Sequence, residues 1–108
     1  MAFKYFDLSE AQNEFLSSYS PKDEHFTSSL EMKQIISKLG LDEGHDVEEL
    51  RSIRNSVVRL YSNLEKKELT VTPNGPIRTE KYWSLNSSMM SVTAVIDHYM
   101  YQANPQSV

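Results

Sequence analysis

The strongest periodic pattern in this chain lies in residues 46–67, DVEELRSIRNSVVRLYSNLEKK, and the other predicted elements are arranged around it. Asp46 with Glu49 three positions later matches a capping box, in which each side chain accepts a hydrogen bond from the other residue's backbone N–H. Apolar residues then recur three and four positions apart, the spacing of one helical face. They are Leu50, Ile53, Val57, Leu60 and Leu64. The pattern predicts a long helix over residues 47–67.

The residues that follow this helix change from a helical to an extended period. Leu69-Thr70-Val71-Thr72 alternates apolar and β-branched polar side chains, and Pro73-Asn74-Gly75-Pro76 is a dense turn signal. The run from Ile77 to Leu85, which ends in Tyr82-Trp83-Ser84-Leu85, is typical of a second strand. We therefore predict a β-hairpin over residues 69–85, with Arg78 and Lys81 near its polar tip.

Three further helices are predicted from caps and apolar spacing. Ser9 caps the first of them and Ser28 caps the second. Gly40 ends the second in a left-handed conformation, with Leu41 folded back over its last turn. The three predicted helices span residues 9–19, 29–39 and 87–102. Together these elements predict a mainly α fold with a small β-hairpin, in a single domain of residues 1–108.

Composition limits the classes of function. The chain has 108 residues, enough for one modest core, and it has no cysteine, which excludes disulfides, thiolate zinc sites and a cysteine nucleophile. No apolar run resembles a signal peptide or a membrane span, so we expect a soluble cytoplasmic protein without a membrane partner. His25, His45 and His98 lack the spacing of a metal site, and no nucleophile motif is present. We expect no metal, no cofactor and no catalysis.

Charge is distributed unevenly along the chain. Seven basic and three acidic side chains lie between residues 51 and 81, whereas the other 77 residues hold four basic and twelve acidic side chains. Such a split within one short domain indicates a face suited to an anionic partner. Salt bridging on helix surfaces is the alternative explanation.

The order of three helices followed by a hairpin resembles the winged helix-turn-helix family of DNA-binding proteins. The resemblance covers residues 27–85. Its most specific part is residues 56–69, where the long helix ends in a leucine, a Glu-Lys turn and an apolar residue. Tyr82-Trp83-Ser84-Leu85 is similar to the end of the family's second wing strand. The expected fold is a winged helix-turn-helix with an extra C-terminal helix, although the connection between the second and third helices is longer than the family's tight turn.

The outward face of the third predicted helix carries side chains that suit a major groove, because Arg pairs with guanine and Asn with adenine. The resemblance implies the same positions, with the wing and nearby lysines on the DNA backbone. The predicted DNA-binding residues are Arg51, Ser52, Arg54, Asn55, Ser56, Arg59, Lys66, Lys67, Arg78 and Lys81. Alternatively, Arg51, Asn55 and Arg59 form a solvated face paired with Glu48 and Glu49.

The last predicted helix is apolar around most of its circumference, so it must be buried on more than one side. We expect a second copy of the chain to cover it, because a two-fold dimer presents two reading helices to two DNA half-sites. Ordinary core packing is the alternative. The predicted dimer interface contains Met89, Val92, Val95, Ile96, Tyr99 and Met100.

These features predict a homodimeric transcriptional regulator of bacterial, plasmid or phage type that binds specific sequences in double-stranded DNA. The acidic remainder of the chain keeps open a second interpretation. In that interpretation the protein is an acidic winged-helix module that binds another protein, such as a phage-encoded inhibitor or adaptor of a host protein.

Overall fold

The computed structural model describes residues 4–22 and 27–103. Within these residues the chain forms four helices and one antiparallel two-stranded sheet. They are α1 (Glu10–Ser18), α2 (Ser29–Leu39), α3 (Val47–Lys67), β1 (Leu69–Thr72), β2 (Gly75–Arg78) and α4 (Glu80–Ala103). The predicted mainly helical fold with a small hairpin is confirmed. The bounds of the first three predicted helices agree with the structure to within one residue.

The ends of these helices are fixed by the local signals in the sequence. Ser9 and Asp46 form capping boxes at the start of α1 and α3, with Gln12 and Glu49 as the reciprocal partners. Gly40 ends α2 with a φ of 67°, which a side-chain-bearing residue adopts only at a cost. The next backbone N–H, that of Leu41, donates to the carbonyl of Ile36 at 3.0 Å, as predicted for a chain folded back over the last turn of α2.

Helix α3 lies at the centre of the core. Leu50, Ile53, Val57 and Tyr61 are fully buried along one side of it. The Tyr61 hydroxyl donates a 2.6 Å hydrogen bond to the carbonyl of Leu16. That carbonyl lies in the last turn of α1, where backbone acceptors have no partner within the helix. The bond therefore ties α1 to α3 and satisfies a group that burial would otherwise penalise.

Helix α4 packs along α3 and also contacts α2. Arg54, in the first half of α3, pairs with Asp97 in the second half of α4, while Glu68 just after α3 pairs with Lys81 in the first turn of α4. The two helices are therefore antiparallel, and the hairpin connects their adjacent ends.

The hairpin is shorter than predicted. Leu69 pairs with Arg78 and Thr72 pairs with Gly75, so the strands span four residues each, and α4 begins at Glu80. The predictions of a second strand that continues to Leu85 and of a last helix that starts at residue 87 are wrong. The Thr79 hydroxyl accepts from the backbone N–H of Tyr82 at 3.1 Å and so acts as an N-terminal cap for α4.

The position of the last helix has a further consequence for the predicted dimer. Val92, Val95, Ile96 and Met100 are buried within the single chain, so the structure contradicts their assignment to a dimer interface. Met89 and Tyr99 are partly buried and pack against the same core. A helix that is apolar on several sides is accommodated here because α4 lies against both α3 and α2.

Candidate nucleic-acid interface

The exposed side of α3 forms the wall of an open groove of about 440 Å³, which we call the α3 groove. Its length from Arg54 to Lys66 is about 18 Å, at 1.5 Å per helical residue. Four of the predicted DNA-binding residues lie in it: Arg54, Asn55, Arg59 and Lys66. The described lining residues are Tyr5, Arg54, Asn55, Val58, Arg59, Ser62, Asn63 and Lys66.

The α3 groove is positively charged. Arg54, Arg59 and Lys66 contribute cations, and none of the described residues that line the groove is acidic. The Arg59 guanidinium lies 3.8 Å from the centroid of the Tyr5 ring, a cation–π contact that orients this side chain. Arg54 is partly neutralised because its Nε donates to Asp97 Oδ1 at 2.8 Å, just outside the groove.

An N-terminal segment, residues 4–8, lies across the first half of α3. The Phe6 N–H donates to Ser56 Oγ at 2.8 Å, and the same hydroxyl donates to the Phe6 carbonyl at 2.6 Å. Asn55 Nδ2 donates to the Lys4 carbonyl at 3.1 Å, and Lys4 Nζ lies 3.7 Å from Glu48 Oε2. The segment therefore occupies part of the surface that sequence reasoning assigned to DNA.

One predicted DNA-binding residue, Ser56, is displaced from that role by this segment, and a second, Ser52, contacts the segment through its backbone. Ser56 is only 3% exposed, and its hydroxyl is used by the backbone of Phe6, so the prediction that Ser56 contacts DNA is wrong. Ser52 donates its hydroxyl to the Glu48 carbonyl at 2.9 Å, and its own carbonyl accepts from the Phe6 N–H at 3.2 Å. Ser56 therefore holds the N-terminal segment on α3 through its side chain, and Ser52 holds it through its backbone carbonyl.

The two ends of α3 carry opposite charge. Acidic side chains surround the N-terminal end, and Arg51, which is exposed one turn further on, lies next to them. Basic side chains outnumber acidic ones at the C-terminal end and the base of the hairpin, where Glu68 and Glu80 also lie. The acidic residues at the N-terminal end are Asp42, Glu43, Asp46, Glu48 and Glu49, and the basic residues at the C-terminal end are Lys66, Lys67, Arg78 and Lys81. A phosphate backbone is therefore repelled at the start of α3 and attracted at its end.

The four basic residues at the hairpin end are exposed, but two of them have partners within the chain. Lys81 Nζ lies 3.8 Å from Glu68 Oε1. The Arg78 guanidinium lies 5.6 Å from the Tyr82 ring and 6.0 Å from the Trp83 ring. These contacts lie at the surface, where each contributes little to stability.

Sequence reasoning omitted Tyr5, Val58, Ser62 and Asn63 from the site. Ser62 and Asn63 lie three and four residues after Arg59, so helical spacing alone places them on the same stripe as Lys66. Tyr5 has no such signal, because its place in the groove depends on a segment about fifty residues away in the chain.

Comparison with known proteins does not assign the chain to a family: no protein-family profile, curated protein or solved structure matches it. The part of the chain that the structure describes contains no cluster of histidine and acidic residues that could hold a metal ion. His25 lies outside the described residues, and the His45 ring packs edge-on against Phe6. None of the described helices is both long and apolar enough to span a membrane.

Proposed function

We propose that this protein binds double-stranded DNA through the α3 groove and acts as a sequence-specific transcriptional regulator of winged helix-turn-helix type, without catalysing a reaction. The observation that carries the proposal is the α3 groove itself. In a chain with a net charge of −4, three cations and three polar side chains line one helical stripe, and its described lining includes no carboxylate. Arg59, Asn63 and Lys66 are its exposed members.

The dimensions of this stripe suit the major groove. B-DNA admits one α-helix there, and 18 Å of helix spans about five base pairs at 3.4 Å per step. Arg59 can donate two hydrogen bonds to guanine, and Asn63 can pair with the edge of adenine. Lys66 and Lys67 are then placed for phosphates. The middle and the C-terminal half of α3 enter the major groove of the DNA. The acidic N-terminal end of α3 stays outside it.

The experiment that tests this proposal is selection from random duplex DNA, followed by binding measurements on the enriched sequence. Arg59→Ala should weaken binding by about 1–3 kcal/mol and relax the preference at one base pair. Lys66→Ala should weaken binding to all sequences and reduce the slope of log K against log salt by about one.

A matched control separates a specific contact from a general loss of charge. Lys38→Ala removes one positive charge from the last turn of α2, outside the α3 groove, and should leave affinity within about twofold. If the folded protein binds no duplex at low salt, or if Lys38→Ala and Arg59→Ala have equal effects, the proposal fails.

One observation favours the second candidate, a module that binds another protein. Val71 is 80% exposed and Ile77 is 55% exposed on a hairpin whose two strands, among the residues that the structure describes, pair only with each other. Unpaired strand edges and exposed apolar side chains suit the addition of a partner's strand. If the protein binds another protein, a co-purifying partner should be lost in a Val71→Ser, Ile77→Ser double variant and retained in Arg59→Ala. For DNA binding the opposite is expected: Arg59→Ala loses affinity and the double variant keeps it.

A further inference from the structure

The start of α4 carries a cluster of aromatic rings that the fold does not bury. Trp83 is 55% exposed, whereas Leu85, two residues later, is the first residue of α4 to enter the core. The Tyr82 and Trp83 ring centroids lie 5.2 Å apart at an interplanar angle of 85°. The Arg78 guanidinium lies within 6.0 Å of both centroids. We call Arg78, Tyr82 and Trp83 the Trp83 platform.

The charges around the Trp83 platform indicate the class of ligand. Between residues 66 and 81 there are four basic side chains, Lys66, Lys67, Arg78 and Lys81, against two acidic ones, Glu68 and Glu80. Glu68 pairs with Lys81, which leaves three basic side chains against Glu80. An anionic ligand is therefore favoured here, on a molecule that is acidic elsewhere.

The aromatic rings limit the class of anionic ligand further. An exposed indole beside a guanidinium offers a flat surface to another π system, and every nucleobase has such a face. In a duplex both faces of each base are covered by neighbouring bases. A nucleic-acid strand with unpaired bases is an anion that presents free π faces, so it fits both the charge and the rings of the platform.

Arg78, one member of the platform, lies near the C-terminal end of α3, whereas Trp83 lines a separate pocket with Ser20, Pro21, Glu80, Ser84 and Ser87. Arg78 pairs in the hairpin with Leu69, two residues after Lys67, the last residue of α3. Lys66, at the C-terminal end of the groove, is thus next to the base of the hairpin.

We propose that the Trp83 platform stacks on an unpaired nucleobase of a DNA strand whose duplex portion contacts α3 through the residues of the α3 groove. This inference rests on the proposed function for the duplex portion only. The platform contributes affinity for a single-stranded overhang or an opened base pair, and base stacking of this kind corresponds to about tenfold in affinity.

Trp83 is the only tryptophan in the chain, so its fluorescence reports on this site alone. The experiment compares three labelled ligands that share the selected duplex: a blunt duplex, the same duplex with a short thymidine overhang, and the same overhang built from abasic sites. The natural overhang should quench Trp83 emission and bind about tenfold more tightly than the blunt duplex. The abasic overhang has the same phosphates and should do neither.

Two variants complete the test. Trp83→Ala should bind the natural overhang no more tightly than the blunt duplex, whose affinity stays at the wild-type value by fluorescence anisotropy of the DNA label. Tyr101→Ala, which removes a 56% exposed aromatic ring near the other end of α4, should leave both affinities unchanged.

Three results overturn the inference. Equal affinity of the wild type for blunt and natural-overhang duplexes refutes stacking and leaves the duplex proposal standing. Equal affinity for natural and abasic overhangs assigns the gain to phosphates alone. Binding of an acidic peptide that quenches Trp83 as strongly as the overhang assigns the platform to a protein partner. If no duplex binds at all, the proposed function fails, and the thymidine strand alone then tests the platform by the same quenching.

Discussion

Ser56→Ala removes the hydroxyl that holds the N-terminal segment on α3. The two hydrogen bonds between Ser56 and the Phe6 backbone, at 2.8 and 2.6 Å, are worth about 1 kcal/mol each in net stability. Alanine regains about 0.5 kcal/mol from its higher helix propensity. The free energy of unfolding should therefore fall by about 1.5 kcal/mol. For a domain of this length that lowers Tm by about 6 °C, measured by circular dichroism.

A second measurement localises the effect. The Phe6 amide should exchange with deuterium faster in Ser56→Ala, because one of its two acceptors is lost. Ser62→Ala is the matched control: Ser62 lines the α3 groove, and its replacement should leave Tm unchanged or slightly higher. If Ser56→Ala melts at the wild-type temperature but loses DNA affinity, Ser56 contacts DNA and its structural assignment is refuted.

Two other predictions follow from contacts around α3. Asp97→Asn frees Arg54 from its 2.8 Å ion pair, so affinity for duplex DNA at low salt should rise about two- to fivefold. The free energy of unfolding should change by less than about 1 kcal/mol. Unchanged affinity would mean that Arg54 makes no phosphate contact. Burial raises the pKa of Tyr61 above its ordinary value, so the folded protein keeps a phenol proton that the unfolded chain releases. Stability should consequently fall as the pH rises above about 10, and urea titrations should show a shallower alkaline loss in Tyr61→Phe than in the wild type.

The elements that local chemistry specifies were predictable from the sequence. Asp46 and Glu49 cap the start of α3, and Gly40 ends α2, each through contacts within one helical turn. Caps and periodicity therefore sufficed to give the bounds of α2 and α3. The start of α4 was not predicted, because Tyr82 and Trp83 favour strands locally while packing decides otherwise. Leu85, Ser88 and Val92, which are buried, already have helical spacing in the sequence. The helical signal was therefore present, but the strand preference of Tyr82 and Trp83 outweighed it.

The composition of the site depended on contacts that no local pattern encodes. Arg54, Asn55, Arg59 and Lys66 were predicted because they share one helical stripe, and the structure brings all four into the α3 groove. Ser56 lies on the same helix but is covered by Phe6, fifty residues earlier in the chain. Likewise, the apolar sequence of α4 indicated burial without indicating that the covering surface belongs to the same chain.

The opposite charges at the two ends of α3 also affect how the molecule approaches an anionic ligand. The acidic side chains at the start of the helix and the lysines at its end each oppose the helix dipole, so they stabilise α3 itself. They are separated by about 30 Å of helix and give the protein a permanent dipole moment. Near a polyanion, the field of the polyanion turns the molecule so that the lysine end of α3 faces it before any contact forms. Salt should therefore slow association more than it speeds dissociation, because screening removes this alignment.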